Sequence, residues 1–95
     1  MKKYIVLIPV YNDRESLTKL IEDINSEIEG INSEISIIVI NDASSQQIIE
    51  EYQNIENINS IEIINMKENR GHTRCIASGL KYIYEKKEFD YVIPM

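Results

Sequence analysis

The chain has 95 residues, with 10 Lys+Arg against 16 Asp+Glu and a formal charge of -6. That length allows one domain and a modest core, burying about 60–65% of the unfolded surface. The acidic balance excludes a general nucleic-acid binder, and a hydrophobic content of 43% excludes intrinsic disorder.

The first apolar run is Tyr4-Ile5-Val6-Leu7-Ile8. It is continuous and rich in β-branched residues, which predicts a strand buried on both faces of a parallel sheet. Pro9 is expected to end it, because proline cannot donate to a ladder. Lys2 and Lys3 mimic the start of a signal peptide, but Asn12-Asp13-Arg14-Glu15 follow the run at once. No run reaches the ~18 to 20 apolar residues of a membrane span. Cys75, the one cysteine, cannot form an internal disulfide. A cytoplasmic chain is expected, with no membrane segment.

Asp13 is a candidate N-cap for a first helix. Leu17, Leu20, Ile21, Ile24 and Ile28 recur on one helical face, and Gly30 falls where a left-handed C-cap belongs. Glu15, Lys19, Glu22, Asp23 and Glu27 form the solvated face. The second strand is predicted over Ile35–Ile40 and is broken by Asn41-Asp42-Ala43-Ser44-Ser45. A second helix is predicted from Ser45 to about Tyr52. The third strand is predicted over Ile61–Asn65. A polar loop then leads to a third helix whose apolar face is Ile76, Leu80, Ile83 and Tyr84. The fourth strand is Tyr91-Val92-Ile93, stopped by Pro94.

The order β-α-β-α-β-α-β implies a parallel sheet covered on both faces. Ligands of such sheets sit beyond the carboxyl ends of the strands. Three loops leave those ends, carrying Pro9-Val10-Tyr11-Asn12-Asp13, Asn41-Asp42-Ala43-Ser44 and Asn69-Arg70-Gly71-His72. Tyr11 offers a flat ring that either stacks on a base or covers the sheet edge. Asp42 either accepts a hydrogen bond from a base imide or caps the next helix with Ser44 or Ser45. Lys67, Arg70, His72 and Arg74 either face a phosphate at a helix N-terminus or form a solvated loop. His72 has no second His or Cys at metal-ligand spacing. Cys75 reads as a small core residue. Dinucleotide-binding, P-loop and nucleophile-elbow motifs are all absent from the sequence.

Together these loops resemble the family 2 inverting glycosyltransferases of GT-A fold. Ile8-Pro9-Val10-Tyr11-Asn12 with Glu15 and Leu17 is similar to that family's opening. Val39-Ile40-Asn41-Asp42-Ala43-Ser44 resembles its V-D-D-G-S segment. Asn69-Arg70-Gly71-His72, continuing through Ala77-Ser78-Gly79-Leu80, resembles its N-x-G segment and the helix that follows. The resemblance implies a Rossmann-like three-layer α/β sandwich with strand order 3-2-1-4. It implies that Pro9, Tyr11 and Asp13 line a nucleotide and that Asp42 binds the base, with Ile40 beside it. Asn69, Gly71 and His72 complete the implied nucleotide-binding set.

Asn41 replaces the first aspartate of the family segment, and Ala43 replaces its glycine. The family's D-x-D motif, which holds Mg²⁺ or Mn²⁺ at the diphosphate, would begin just after Met95, and the general base lies further on. The chain is thus expected to be the N-terminal, nucleotide-binding portion of a hexosyltransferase-type enzyme, inactive alone. Its expected partner is a UDP- or GDP-type nucleotide-diphosphate sugar, and its fourth-strand edge is expected to self-associate. Two rivals, a receiver-like interaction module and a sugar nucleotidyltransferase, need motifs that are missing. A receiver needs acidic residues after strand one, where Pro9-Val10-Tyr11 stand. A nucleotidyltransferase needs a Gly-rich loop there.

Overall fold

A computed structural model describes residues 1–43, 55–69 and 71–95, without the side chain of His72. Its elements are β1 (Lys2–Val10), α1 (Arg14–Glu27), β2 (Ser33–Asn41), β3 (Ser60–Asn65), α2 (His72–Lys86) and β4 (Tyr91–Pro94). The helix predicted over residues 45–52 lies outside the described residues. The four strands form one parallel sheet in the order β3-β2-β1-β4, as expected.

Alternation along the strands divides the core in two. Val6, Ile8, Val10, Ile35, Ile37 and Val39 face α1, where Leu17 and Ile21 close the layer. Ile5, Leu7, Ile38 and Ile40 face α2, where Cys75 and Ile83 close it. The result is the helix–sheet–helix sandwich that continuous apolar strands require.

β1 does not stop before Pro9. It runs to Val10, with Pro9 opposite Ile40 of β2. The Leu7 carbonyl accepts from Met95 N–H at 2.9 Å, whereas the Val10 carbonyl accepts from Asp42 N–H on the β2 side at 2.8 Å. Backbone direction alternates, so the Pro9 nitrogen points to the β4 side, beyond the last β4 pair at Pro94. The missing donor costs no ladder bond.

Asp13 is the N-cap residue of α1, but its side chain makes no capping hydrogen bond. Gly30 does not cap the helix, whose C-cap is Ile28. It occupies the third position of a turn closed by Ile31 N–H to the Ile28 carbonyl at 3.0 Å. Its φ of +81° suits glycine there. Among the predicted solvated residues of α1, only Glu22 is half-buried.

The apolar face predicted for the third helix is rotated in α2. Cys75, Gly79 and Ile83 form the stripe against the sheet, while Leu80 is 38% and Tyr84 82% exposed. Gly79 explains the rotation. A Cβ there would lie 2.6 Å from Leu7 Cδ1 and 3.1 Å from Ile40 Cγ1. The helix backbone approaches the sheet at Gly79, and this turns Leu80 and Tyr84 aside.

Candidate functional site

The loops after β1, β2 and β3 meet at the carboxyl edge of the sheet, tied by backbone and side-chain bonds. Asp42 N–H donates to the Val10 carbonyl, and Met66 N–H donates to the Asn41 carbonyl at 2.8 Å. Asn41 Nδ2 donates to Asn65 Oδ1 at 2.9 Å, joining the ends of β2 and β3. Ala43 N–H closes a three-residue turn on the Asn41 carbonyl at 2.9 Å. Ala43 adopts φ +57°, a left-handed conformation that glycine takes at no steric cost.

Asp42 is 4% exposed at the centre of this junction. Its Oδ2 accepts from the Gly71 backbone N–H at 2.9 Å, and its carbonyl accepts from Asn69 Nδ2 at 3.5 Å. The carboxylate therefore serves the start of α2, across 29 residues of chain. Gly71 reaches it with φ +83° and ψ 161°, a backbone region almost closed to residues with a Cβ. The anion at this helix start is Asp42 itself. Beneath it lies Cys75, fully buried. Burial, then the neighbouring Asp42 carboxylate, pushes its thiol pKa up to about 11, so at neutral pH it is an uncharged core group rather than a nucleophile.

Two adjoining clefts share the first loop. One, of about 80 Å³, is lined by Pro9, Val10, Tyr11 and Asp42. The other, of about 210 Å³, runs toward α1 and is lined by Tyr11, Asp13, Ser16, Leu17 and Leu20 among others. Tyr11 stands between them, 54% exposed. Asn12 beside it takes φ +51°, which asparagine tolerates.

The structure thus brings Pro9, Tyr11 and Asp42 to one cleft, with Asp13 on the adjoining one. Gly71 and Asn69 reach Asp42 from behind. Ile40 is 1% exposed and packs in the α2 layer, so its part is to support the strand end. Arg70 and the His72 side chain are outside the described residues. Lys67 and Arg74 are exposed, and Arg74 lines a different depression with Met66, Ala77 and Ser78. Among the described residues, no group of three or more His, Cys, Asp and Glu is placed to hold a metal ion. Sequence reasoning missed the Asp42–Gly71 and Asn41–Asn65 contacts. No spacing rule signals a bond between loops so far apart in the chain.

An open parallel sheet with its loops joined at the carboxyl edge around a buried carboxylate and an exposed aromatic ring is a Rossmann-like α/β protein. The profile of glycosyl transferase family 2 matches residues 5–95, and the chain belongs to that family. Its chemistry is therefore of the glycosyltransferase type, with a nucleotide-sugar donor. No helix of the described residues is long and apolar enough to cross a membrane.

Proposed function

We propose that this chain is the nucleotide-binding part of a glycosyltransferase that moves a sugar from a UDP- or GDP-type donor to an acceptor hydroxyl or lipid phosphate. The observation that carries the reading is the cleft in which the exposed Tyr11 ring stands beside the buried Asp42 carboxylate. The ring supplies a stacking face, and the carboxylate supplies an acceptor for a base N–H. Asp13 makes no capping bond at α1 and lines the adjoining cleft, where it can meet a ribose hydroxyl. The residues assigned here bind and orient. None is assigned to accept the acceptor's proton, and the chain alone is expected to bind donor without transferring sugar.

Calorimetric titration of the chain with UDP and GDP tests this reading. Asp42→Ala is expected to weaken binding of the preferred nucleotide by about 1–3 kcal/mol, the range for a hydrogen bond to a charged group. Unchanged affinity in a folded variant would remove Asp42 from the site.

Self-association through β4 belongs to the same proposal, with a second copy as the partner. Met95 N–H is turned toward Leu7, so the Pro94 nitrogen and, two residues earlier, the Val92 amide and carbonyl point away from the sheet. Among the described residues no strand pairs with that side. Tyr91 and Ile93, 48% and 46% exposed, lie on one flank, and Leu80 and Tyr84 are exposed on α2. Two copies related by a two-fold axis can each pair the other's Val92.

A further inference from the structure

We propose that the chain carries a second small-molecule site, for one ring of a neutral sugar, on the α2 face of the sheet where β1, β2 and β3 begin. It lies toward the opposite end of the strands from the nucleotide cleft and does not depend on that reading. Further along the strands this face is apolar, with Ile5, Leu7, Ile38 and Ile40 packed beneath α2. Earlier on the same face stand Lys3 of β1, Glu34 and Ser36 of β2, and Ser60 and Glu62 of β3. Register puts Glu34 beside Lys3, and Ser36 between Ile5 and Ser60. Glutamate and serine on an inner strand break the continuous apolar pattern of a sheet covered by helices. The break falls where α2 ends at Lys86. That helix end, with Lys87 and Glu88, and these strand starts enclose a cavity of about 340 Å³.

Charge, hydrogen bonding and size select the ligand. Lys3, Lys86 and Lys87 meet Glu34, Glu62 and Glu88 around the cavity, so the charges cancel. Lys3 pairs with Glu88 at 3.4 Å, and Lys87 pairs with Glu62 at 2.9 Å. A polyanion would face three carboxylates and the negative end of the α2 dipole, and a polycation would face three ammonium groups. Neutral hydroxyls suit both signs, since each donates to a carboxylate and accepts from an ammonium. The strand starts add the same mixture. Ser36 Oγ accepts from Asn59 Nδ2 at 3.3 Å, which leaves its hydrogen to donate. The Ser60 hydroxyl has no hydrogen bond among the described residues. Glu62 is held by the Tyr82 hydroxyl at 2.6 Å and by Lys87, so its oxygens are placed before a ligand arrives. Ile5 and Ile38, both buried, give the cavity an apolar wall for the C–H face of a sugar ring. Its volume is at the lower end of the ~300–1,000 Å³ of small-molecule sites, which suits one sugar ring rather than a whole nucleotide sugar.

The test follows amide chemical shifts of the full chain during separate titrations with glucose, galactose, mannose and N-acetylglucosamine. Inorganic phosphate and putrescine serve as charged probes. At least one sugar is expected to give saturable shifts at Ser36, Ser60 and Glu62, and neither charged probe is expected to do so. Ser36→Ala and Ser60→Ala are each expected to weaken that binding about ten-fold, the effect of one lost hydrogen bond. If Ser36→Ala does not fold, Ser60→Ala decides, because Ser60 is exposed. Saturation by phosphate or putrescine at these residues, sugar shifts that never saturate or fall only around Tyr11 and Asp42, or binding that neither substitution weakens overturns the proposal. The nucleotide reading survives each of these outcomes, because it stands or falls on UDP and GDP at Tyr11 and Asp42.

Discussion

Single carboxylates tie the sheet to α2 at two places. At the carboxyl end Asp42 joins the β2 loop to the start of α2. On the α2 face of the sheet, Glu62 of β3, which pairs with Ile38 of β2, accepts from the Tyr82 hydroxyl at 2.6 Å and pairs with Lys87 Nζ at 2.9 Å. Lys87 also lies over the Tyr82 ring, 5.7 Å from its centroid. The Tyr82 hydrogen bond, followed by Lys87, holds the Glu62 carboxyl below its usual range despite partial desolvation. The same contacts raise the pKa values of Tyr82 and Lys87. A carboxylate with a lowered folded pKa stabilises the fold above its unfolded pKa, and that contribution is lost as pH falls through the folded value. The raised groups contribute in the opposite sense: theirs persists through neutral pH and disappears only as pH rises past their folded values. Glu62→Gln is therefore expected to melt below the unsubstituted chain near neutral pH, with the gap closing as pH falls below the ordinary carboxylate range and through the lowered folded value. Melting curves at several pH values check this. A gap independent of pH would mean that the charge of Glu62 does not act through these partners.

Helix α2 depends on one residue without a side chain. Leu7 is fully buried and Ile40 is 1% exposed, so neither can move aside for a methyl at Gly79. Gly79→Ala is expected to destabilise the fold by about 1–3 kcal/mol, the usual cost of overpacking, although alanine is the better helix former. Urea denaturation measures it, and a stabilised variant would contradict the close approach. The same glycine limits what periodicity reveals. Leu80 and Tyr84 continue the spacing of Ile76 and Ile83, yet the surface α2 buries is set by where its backbone comes nearest the sheet. In α1, where no glycine intervenes, Leu17 and Ile21 face the core as their spacing predicts. Pro9 shows a second limit: its place inside β1 depends on which neighbour each backbone group faces, and a sequence does not display that alternation. Asn25 shows a third. It is 3% exposed on α1, and its side-chain oxygen accepts from Asn57 N–H at 2.7 Å. A partner 32 residues away is what lets that polar group be buried. The three loops of the site were legible because strand ends place them together. Their internal bonds were not, because each joins segments that only the sheet brings into contact.

At the scale of the molecule, the order β3-β2-β1-β4 puts β1 and β2 at the centre, and the candidate site sits at their carboxyl ends. β4 lies outermost on one side, stacked on the centre through Tyr4 and Tyr91 with ring centroids 5.1 Å apart. Pairing of two copies through Val92 predicts a dimer in sedimentation at micromolar concentration. Val92→Pro, which removes the outward amide, is expected to shift it toward monomer. A chain that stays monomeric at those concentrations contradicts the edge pairing, and a dimer unaffected by Val92→Pro places the contact elsewhere.

The central claim, that the junction of the first three strand ends binds the nucleotide of a sugar donor, is tested most directly by mapping amide chemical shifts across the full chain during titration with UDP. The account predicts saturable shifts at Tyr11, Asp42, Ala43, Asn69 and Gly71, with little change around Glu62, Tyr82 and Lys87. Saturable shifts confined to the Glu62 cluster, or none at all, would contradict it.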